Sequence, residues 1–308
     1  MSFDHLQARI RAMKSPVVAE LDLRPEQLPP ALLARHLEAG GETLRSAALA
    51  AEEYGRLLLD GLADVVPAVS FPVSSFELLG WRGMEVLEKL IACAKSKGLF
   101  VIADAQRSGL GPDAAACGAA WLGGTRVGGT RVGGTLCPVF DADCVTVNGY
   151  LGSDCLGTVL EASKAANKCA FVLVKTPNPS SVELEDMAAG DRQVCTVMGD
   201  LTRRIAKDAA GEKFGFYALG AIVGTDYPVE MKQLRRRWDR IFFLVPDCGT
   251  PEHMDVARHA FDEYGRGAAV CVRGPILDAC RESADPASAA RAAADDLRRQ
   301  WQDLVTIL

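Results

Sequence analysis

Short apolar runs alternate with amphipathic stretches along the whole chain. Each run is rich in β-branched or aromatic residues and is bounded by Gly, Pro, Asp or Asn, which is typical of buried β-strands. There are eight runs, at residues 16–22, 63–69, 98–104, 143–148, 170–175, 214–224, 240–246 and 267–274. The pattern therefore predicts eight strands separated by helical segments.

In the stretches between the runs, apolar residues recur with the period of an α-helix. One of them places Val86, Leu87, Leu90, Ile91 and Ala94 on a single face, as expected of a helix that covers a core. Apolar strands that alternate with helices predict a parallel sheet covered by helices. Eight repeats favour an α/β fold of the closed (β/α)₈, or TIM, barrel type over an open doubly wound sheet.

The domain organisation follows from the same count. A chain of 308 residues is long enough for two average domains, but the eight repeats account for nearly all of it. We therefore predict a single domain over 1–308, with a barrel core of about 14–280. The segment 285–308 predicts a terminal amphipathic helix that is capped near Asp285 or Ser288.

A Gly-rich insertion at 123–135 repeats the unit GGTRV. It matches neither the P-loop nor the dinucleotide-binding fingerprint. We interpret it as a flexible loop, and the alternative is a mobile lid or phosphate nest that uses Arg126 and Arg131. Its position before a strand, away from the carboxyl ends of the strands, argues against the lid.

Charge and composition exclude several classes of partner. The net charge of −6 is opposite to that of a surface that binds a nucleic-acid polymer. No apolar run approaches the ~20 residues that span a bilayer, and the N-terminal segment lacks the apolar region of a signal peptide. We expect a cytoplasmic protein with no membrane partner. Its ten cysteines have no C-x-x-C spacing, so we expect reduced thiols and no metal site.

Polar residues at the carboxyl ends of the predicted strands are the candidates for chemistry, because barrel enzymes place their active sites there. Side chains alternate along a strand, so residues two apart at its end face the same way. The alternative for each residue is a solvent-facing cap at the end of its strand. This rule selects Glu20, Asp22, Ser70, Asp104, Gln106, Asn148, Lys175, Asp247 and Arg273.

The same strand ends carry a family resemblance. The segments ELDLRPEQLP (20–29), VIADAQRSGLG (101–111), VTVNGYLGSDCL (145–156), FVLVKTPNPSS (171–181) and GRGAAVCVRGPIL (265–277) occur in collinear order. In these blocks the chain resembles orotidine 5′-monophosphate decarboxylases, above all their longer bacterial form. The resemblance implies a TIM barrel, a decarboxylase without a cofactor, a Lys-Asp-Lys-Asp array at its centre and a homodimer.

The chain departs from the array that the resemblance implies. Ser70 stands where the first Lys is expected, and the family motif D-x-K-x-x-D reads Asp104, Gln106 and Gly109. An amide such as that of Gln106 carries no charge and releases no proton near neutral pH. Efficient decarboxylation of orotidylate by the family mechanism is therefore not expected.

The part of the motif set that binds ligand is better preserved. By resemblance, Asp22 is the residue that contacts ribose, Arg273 and Gly274 bind phosphate, and Asn148 lies in a preserved block. A guanidinium fork suits phosphate. The family's pyrimidine-contacting Ser is replaced by Pro177, and the phosphate loop near 246–254 is shortened. We expect a small phosphorylated substrate.

Two substitutions introduce new charged groups. Lys175 stands where the family usually has Arg, and Glu20 where it usually has Gly. The alternation rule directs both toward a pocket with Asp104. Our hypothesis is that Lys175, assisted by Asp104 or Glu20, replaces the missing lysines in a different reaction. The alternative is a structural Lys–Glu pair.

Three functions remain open at this point. The first is a divergent lyase that acts on a nucleotide or another phosphorylated substrate, in specialised metabolism. The second is a non-catalytic binding or regulatory barrel. The third is an ordinary orotidine 5′-phosphate decarboxylase of pyrimidine synthesis.

Overall fold

The computed structural model describes residues 2–128, 134–225 and 228–308. Eight parallel strands in these ranges close into a barrel, which confirms the predicted (β/α)₈ fold. The strands are β1 Val17–Glu20, β2 Ala68–Pro72, β3 Phe100–Arg107, β4 Cys144–Asn148, β5 Cys169–Lys175, β6 Leu219–Val223, β7 Phe243–Val245 and β8 Ala268–Val272. Closure is made by β1, which pairs with β2 on one side and with β8 on the other.

Apart from the first helix, which precedes β1, the helices follow the strands and form the outer layer. They are α1 Ser2–Met13, α2 Pro30–Gly40, α3 Leu44–Leu62, α4 Val73–Glu77, α5 Gly80–Ser96, α6 Pro112–Trp121, α7 Ser153–Ala166, α8 Val194–Ala206, α9 Pro228–Arg237, α10 Pro251–Ala257, α11 Gly274–Arg281 and α12 Pro286–Leu304. Short 3₁₀ turns lie at Pro25–Gln27, Gly149–Leu151, Pro179–Glu183 and Arg258–Ala260.

The structure confirms both helices that the sequence analysis predicted, one around residues 86–94 and one at the end of the chain. The five residues predicted to share a face are buried on α5. The terminal helix α12 begins after Asp285, whose side chain accepts a hydrogen bond from the backbone N–H of Ser288. This is the arrangement of an N-cap, which satisfies a donor that the first turn leaves unpaired.

The second strand lies later than the apolar run 63–69 predicts. The backbone N–H groups of Val65 and Val66 both donate to Leu62 and complete the end of α3. Pro67, which has no N–H to donate, follows at once. Pairing in the sheet therefore starts at Ala68, and Val65 and Val66 are buried as part of a helix-to-strand turn.

The N-terminal helix α1, which the strand pattern did not predict, packs against the inside of the barrel. Phe3, Leu6 and Ile10 are fully or almost fully buried and join the cluster of inward-facing strand residues. The ring of Phe3 stacks on that of Phe242, with centroids 4.9 Å apart. This apolar plug leaves the carboxyl ends of the strands as the polar end of the barrel.

The Gly-rich segment is described only at its two ends. Thr125–Val127 and Thr135–Cys137 pair as antiparallel strands, and Arg126 donates to the carbonyl of Gly134. Arg131 lies outside the described residues. Because this hairpin joins the end of α6 to the start of β4, it is placed at the end of the barrel opposite the carboxyl ends of the strands.

Candidate active site

A cavity of about 330 Å³ opens at the carboxyl ends of the strands. Six of the nine residues that the strand-end rule selected line it: Glu20, Ser70, Asp104, Gln106, Asp247 and Arg273. The wall is completed by Leu173, Thr176, Pro177, Asn178, Ile222, Leu244, Pro246 and Cys271. The structure thus brings together residues from seven strands or the loops that follow them.

Glu20 is the last residue of β1 and stands beside Ser70 of β2 in the parallel register. Its side chain is only 21% exposed, and Arg273 Nη1 lies 3.7 Å from its Oε1. Burial raises the pKa of Glu20 to about 7, and Asp104, Asp247 and Asp22 act in the same direction while Arg273 opposes them. Glu20 is therefore a carboxyl group that exchanges its proton near neutral pH.

Asp104 and Gln106 lie in a bulge of β3. Ala103 pairs with Val145 and Arg107 with Val147, so three residues of β3 stand opposite Thr146 alone. The Thr146 hydroxyl donates to Asp104 Oδ1 at 2.6 Å and accepts from the Gln106 backbone N–H at 2.8 Å. A bulge of this kind re-aims side chains next to an active site.

Burial and two hydrogen bonds set the chemistry of the Asp104 carboxylate. Burial raises its pKa, and the hydrogen bonds from Thr146 and Gln106 oppose that rise. The Gln106 amide nitrogen lies 3.2 Å from Asp104 Oδ2. Gln106 adopts a φ of 49°, in the left-handed region that non-glycine residues seldom occupy. The cavity therefore holds a second carboxyl group whose charged form is disfavoured.

Arg273 stands at the junction of β8 and α11. Its Nη1 donates to Asp22 Oδ2 at 3.2 Å, and its side chain is 45% exposed toward the cavity. Gly274 is the first residue of α11 and is followed by a Pro. In this first turn Pro275 has no N–H, and the N–H groups of Ile276 and Leu277 donate to the carbonyl of Arg273. The turn therefore offers an anion the Gly274 N–H and the helix dipole. Barrels often hold phosphate in this loop.

Asp22 lies behind the cavity wall, and is not among the lining residues. It is 2% exposed, accepts two hydrogen bonds from the guanidinium of Arg24 and one from the Ser75 hydroxyl at 2.7 Å. Burial acts to raise the pKa of Asp22, but the hydrogen bonds from Arg24 and Ser75 outweigh it and hold the pKa below its ordinary value. Asp22 is thus an ionised anchor for Arg273.

The structure corrects the predicted placement of Lys175, which does not face Asp104 or Glu20. Its Nζ lies 2.9 Å from Asp186 Oδ1 and 3.7 Å from Glu185 Oε2, in the loop before α8. Burial acts to lower the pKa of Lys175, but the contacts with Asp186 and Glu185 outweigh it and raise the pKa.

The physical reason for this correction is a bulge in β5. Leu173 pairs with Ile222 and Lys175 pairs with Val223, so Val174 is an extra residue in the ladder. The extra residue breaks the alternation on which the prediction for Lys175 rested. The alternative in the sequence analysis is a structural Lys–Glu pair, and in the structure the nearer partner is Asp186, with Glu185 at 3.7 Å.

Asn148 is also outside the lining. Its side chain is exposed, and its Oδ1 accepts a hydrogen bond from the backbone N–H of Tyr150, so it caps a 3₁₀ turn. Gly274 is likewise not among the lining residues, and because it has no side chain only its backbone could contact a ligand. The local cap engages the Oδ1 of Asn148 outside the cavity lining, and a role of this residue in binding substrate stays a prediction.

Some residues of the site gave no signal in the sequence analysis. Thr146 and Ser75 are neutral hydroxyls within apolar segments, so a search for charged strand ends passes over them. Thr176 is held in the wall by Glu185, which accepts from its backbone N–H at 2.9 Å and from its hydroxyl at 2.6 Å. Position alone, two residues before Asn148 on β4, could have pointed to Thr146.

Across the described ranges, no cluster of three or more His, Cys, Asp or Glu side chains is arranged to hold a metal ion. No helix in those ranges is both long enough and apolar enough to cross a bilayer. The ten cysteines are unpaired, and Cys271, the one that lines the cavity, has a pKa raised well above its ordinary value by burial.

Comparison with characterised proteins gives a consistent set of relatives. No family model matches the chain. An orotidine 5′-phosphate decarboxylase of Caldicellulosiruptor bescii is 31% identical over 246 residues, which cover 80% of this chain and 79% of the relative. One from Rhodopirellula baltica is 32% identical over 266 residues, which cover 86% and 84%.

Solved structures show the same fold. The orotidylate decarboxylase of Leishmania donovani superposes with a TM-score of 0.72 over 98% of both chains, at 23% identity. The orotidine 5′-monophosphate decarboxylase of Plasmodium berghei gives 0.75 over 98% of both chains, at 14% identity. The whole length of the barrel is therefore shared with these structures.

Proposed function

Because the chain belongs to the orotidine 5′-phosphate decarboxylase family, we propose that it is a divergent lyase of that family which acts on a nucleotide or another phosphorylated small molecule. Orotidylate itself is at most a poor substrate in this proposal. The reaction breaks a carbon–carbon bond without a cofactor. It serves specialised metabolism, apart from the main synthesis of pyrimidines.

The charge of the cavity wall is the observation that carries this proposal. Glu20, Asp104 and Asp247 supply three carboxyl groups, and Arg273 is the one cation among the described residues of the lining. The family mechanism, by resemblance, uses ammonium groups to stabilise and protonate the carbanion that CO₂ leaves behind. Lys175, the nearest candidate for such a group, is engaged by Asp186.

Arg273 and Gly274 are the proposed phosphate site. The guanidinium faces the cavity at the start of α11, where the Gly274 N–H and the helix dipole also favour an anion. Asp22 holds Arg273 in place from behind. Ser70 and Asn178 offer polar groups along the wall for the remainder of the substrate.

Glu20 is the proposed acid, and Asp104 is proposed to act on the substrate carboxylate by electrostatic repulsion. Asp104 disfavours a substrate carboxylate beside it, which favours its departure as CO₂. The electron pair of the broken carbon–carbon bond stays on the substrate carbon, and the carboxyl proton of Glu20 is transferred to it. Gln106 contributes by its hydrogen bond to Asp104, and solvent returns a proton to Glu20.

Lys175 is proposed as a positioning residue. It binds Asp186 and approaches Glu185, and Glu185 in turn holds both polar atoms of Thr176. Thr176 and the two residues after it form one wall of the cavity. The buried lysine therefore acts on the site through this loop.

A homodimer is the proposed assembly. Large apolar side chains are exposed in the segments that follow the strands β2 to β5 in the chain. Burying such a patch against a second copy removes apolar surface from water. The exposed residues are Leu78, Trp81, Leu110, Tyr150 and Met187.

The reaction is tested by following the ultraviolet absorbance of orotidylate mixed with purified protein, with the Caldicellulosiruptor bescii enzyme as a positive control. We expect turnover at least ~10³-fold slower than the control, because array residues act together. Turnover at the control's rate would establish the ordinary decarboxylase instead.

The ligand site is tested by thermal unfolding with ribose 5-phosphate, uridylate and cytidylate. We expect at least one of them to stabilise the protein, and Arg273→Ala to abolish that stabilisation. Stabilisation that is unchanged in Arg273→Ala would refute the phosphate site. Binding without turnover of any phosphorylated carboxylate tested would favour the non-catalytic barrel.

A further inference from the structure

Arg273 is shared between two carboxylates. Its Nη1 lies 3.2 Å from Asp22 Oδ2 and 3.7 Å from Glu20 Oε1. The proposed function gives the same guanidinium to the phosphate of the substrate. A phosphate dianion that binds there competes with both carboxylates for one set of N–H donors.

The two carboxylates differ in what they retain when Arg273 turns to a phosphate. Asp22 still accepts hydrogen bonds from Arg24 and Ser75. Glu20 has Arg273 as its one cationic contact among the residues that the structure describes. When Arg273 turns to a phosphate, Glu20 therefore loses more of the stabilisation of its negative charge than Asp22 does.

The other titratable groups near Glu20 are acids, and the three carboxylates among them disfavour a negative charge on Glu20. They are Asp22, two residues after Glu20, Asp104 on β3, Asp247 after β7 and the thiol of Cys271 on β8. Asp104 retains the donors Thr146 and Gln106, and Asp247 is exposed to solvent. Glu20 is thus the buried carboxylate with the fewest ways to keep its negative charge.

We propose that a phosphate dianion bound at Arg273 causes Glu20 to take up one proton from solvent. The proton forms an O–H bond on the Glu20 carboxylate, and no other bond is made or broken in this step. The inference rests on the proposed function, since it requires the phosphate at Arg273. Its consequence is that the binding of substrate itself creates the carboxylic acid that the reaction uses.

The affinity for ribose 5-phosphate between pH 7.5 and 9 tests this coupling. The second pKa of a phosphate monoester is near ~6, so the ligand stays dianionic across this range. Binding that takes up a proton weakens as pH rises above the pKa of the free acceptor. We expect the dissociation constant of the wild-type protein to rise by roughly tenfold per pH unit.

Glu20→Gln removes the acceptor and nearly preserves the shape of the side chain. We expect its dissociation constant for ribose 5-phosphate to be nearly independent of pH over the same range. Asp247→Asn is the matched control, because it removes a carboxylate from the same wall and an Asn tolerates the positive φ of 55° at that position. It should keep the wild-type slope.

The outcomes separate the two proposals. If ribose 5-phosphate binds, Arg273→Ala abolishes that binding, and Glu20→Gln retains the wild-type slope, proton uptake by Glu20 is refuted while the ligand site stands. If Asp247→Asn alone loses the slope, Asp247 is the acceptor and the assignment to Glu20 is overturned. If binding does not depend on Arg273, the phosphate site fails, and this inference fails with it.

Discussion

Two charged clusters lie at the carboxyl ends of the barrel strands, one after β5 and one around the cavity, and they are built in opposite ways. Around Lys175, one ammonium is matched by two carboxylates, at 2.9 and 3.7 Å, behind the wall of the cavity. In the cavity lining, the carboxyl groups of Glu20, Asp104 and Asp247 are accompanied by one cation among the described lining residues, Arg273, which lies 3.7 Å from Glu20.

The two clusters differ in how fully their charges are paired. The Lys175 cluster is closed, since each charge has a partner and the pKa of Lys175 is raised. At the mouth, burial raises the pKa of both Glu20 and Asp104. Groups with shifted pKa values that face a cavity are typical of sites that transfer protons.

The largest expected effect comes from breaking the closed cluster. Lys175→Met leaves Asp186 and Glu185 partly buried without their cation, and we expect it to lower the free energy of unfolding by about 3–5 kcal/mol. Denaturant titration measures this. The matched control is Lys164→Met, which breaks the exposed pair of Lys164 with Glu161 and should change stability by less than ~0.5 kcal/mol. An equal effect of the two variants would contradict the structural role.

In the cavity, removing the charge of Glu20 is expected to raise the free energy of unfolding. Folded Glu20 has a pKa of about 7 against its ordinary value of 4.5, so the folded protein binds the extra proton between these values. Stability from this group is therefore lost as pH rises through that window. Glu20→Gln has no such loss, and we expect it to be more stable than the wild type by about 3 kcal/mol at pH 8.

The pH dependence provides the internal control for Glu20→Gln. Its advantage in the free energy of unfolding should shrink as pH falls and should vanish below about pH 4.5, where Glu20 is protonated in both states. The exposed Glu26→Gln is the matched control and should show no comparable change. A Glu20→Gln variant that is less stable than the wild type at pH 8 would show that Glu20 is a paired structural residue.

A smaller effect is expected from the hydroxyl that organises the β3 bulge. Thr146→Val removes the donor to Asp104 and the acceptor for the Gln106 N–H. We expect a loss of about 1–3 kcal/mol in the free energy of unfolding, together with a further rise in the pKa of Asp104. Thr158→Val, at an exposed hydroxyl on α7, is the control. If Thr146→Val behaves like Thr158→Val, the bulge does not depend on this hydroxyl.

The sequence predicted the barrel and the location of the site for the same reason: both follow from regular alternation. Apolar runs marked the strands, and charged residues at their ends marked Glu20, Asp104 and Arg273 as neighbours. The failures lie where regularity is broken. A single extra residue in β5 turns Lys175 away from the cavity, and no hydrophobic pattern records such a bulge.

Local hydrogen bonds account for the other differences. Asn148 has a side chain suited to binding a ligand, but its Oδ1 accepts a hydrogen bond from the backbone N–H of Tyr150. Thr146 and Ser75 organise the carboxylates through neutral hydroxyls, which carry no charge signal in the sequence. Such partners become visible only when strands distant in the chain are placed side by side.

In the proposed site, the cavity at the carboxyl ends of the strands holds a carboxyl group, Glu20, that is protonated near neutral pH in place of an ammonium. The most direct test is a carbon-13 NMR titration of the glutamate side-chain carboxyls, in which Glu20 is assigned by the resonance that Glu20→Gln lacks. We predict that this resonance titrates near pH 7. A midpoint near the ordinary value of 4.5 would contradict the proposed acid role of Glu20 and the coupling built on it.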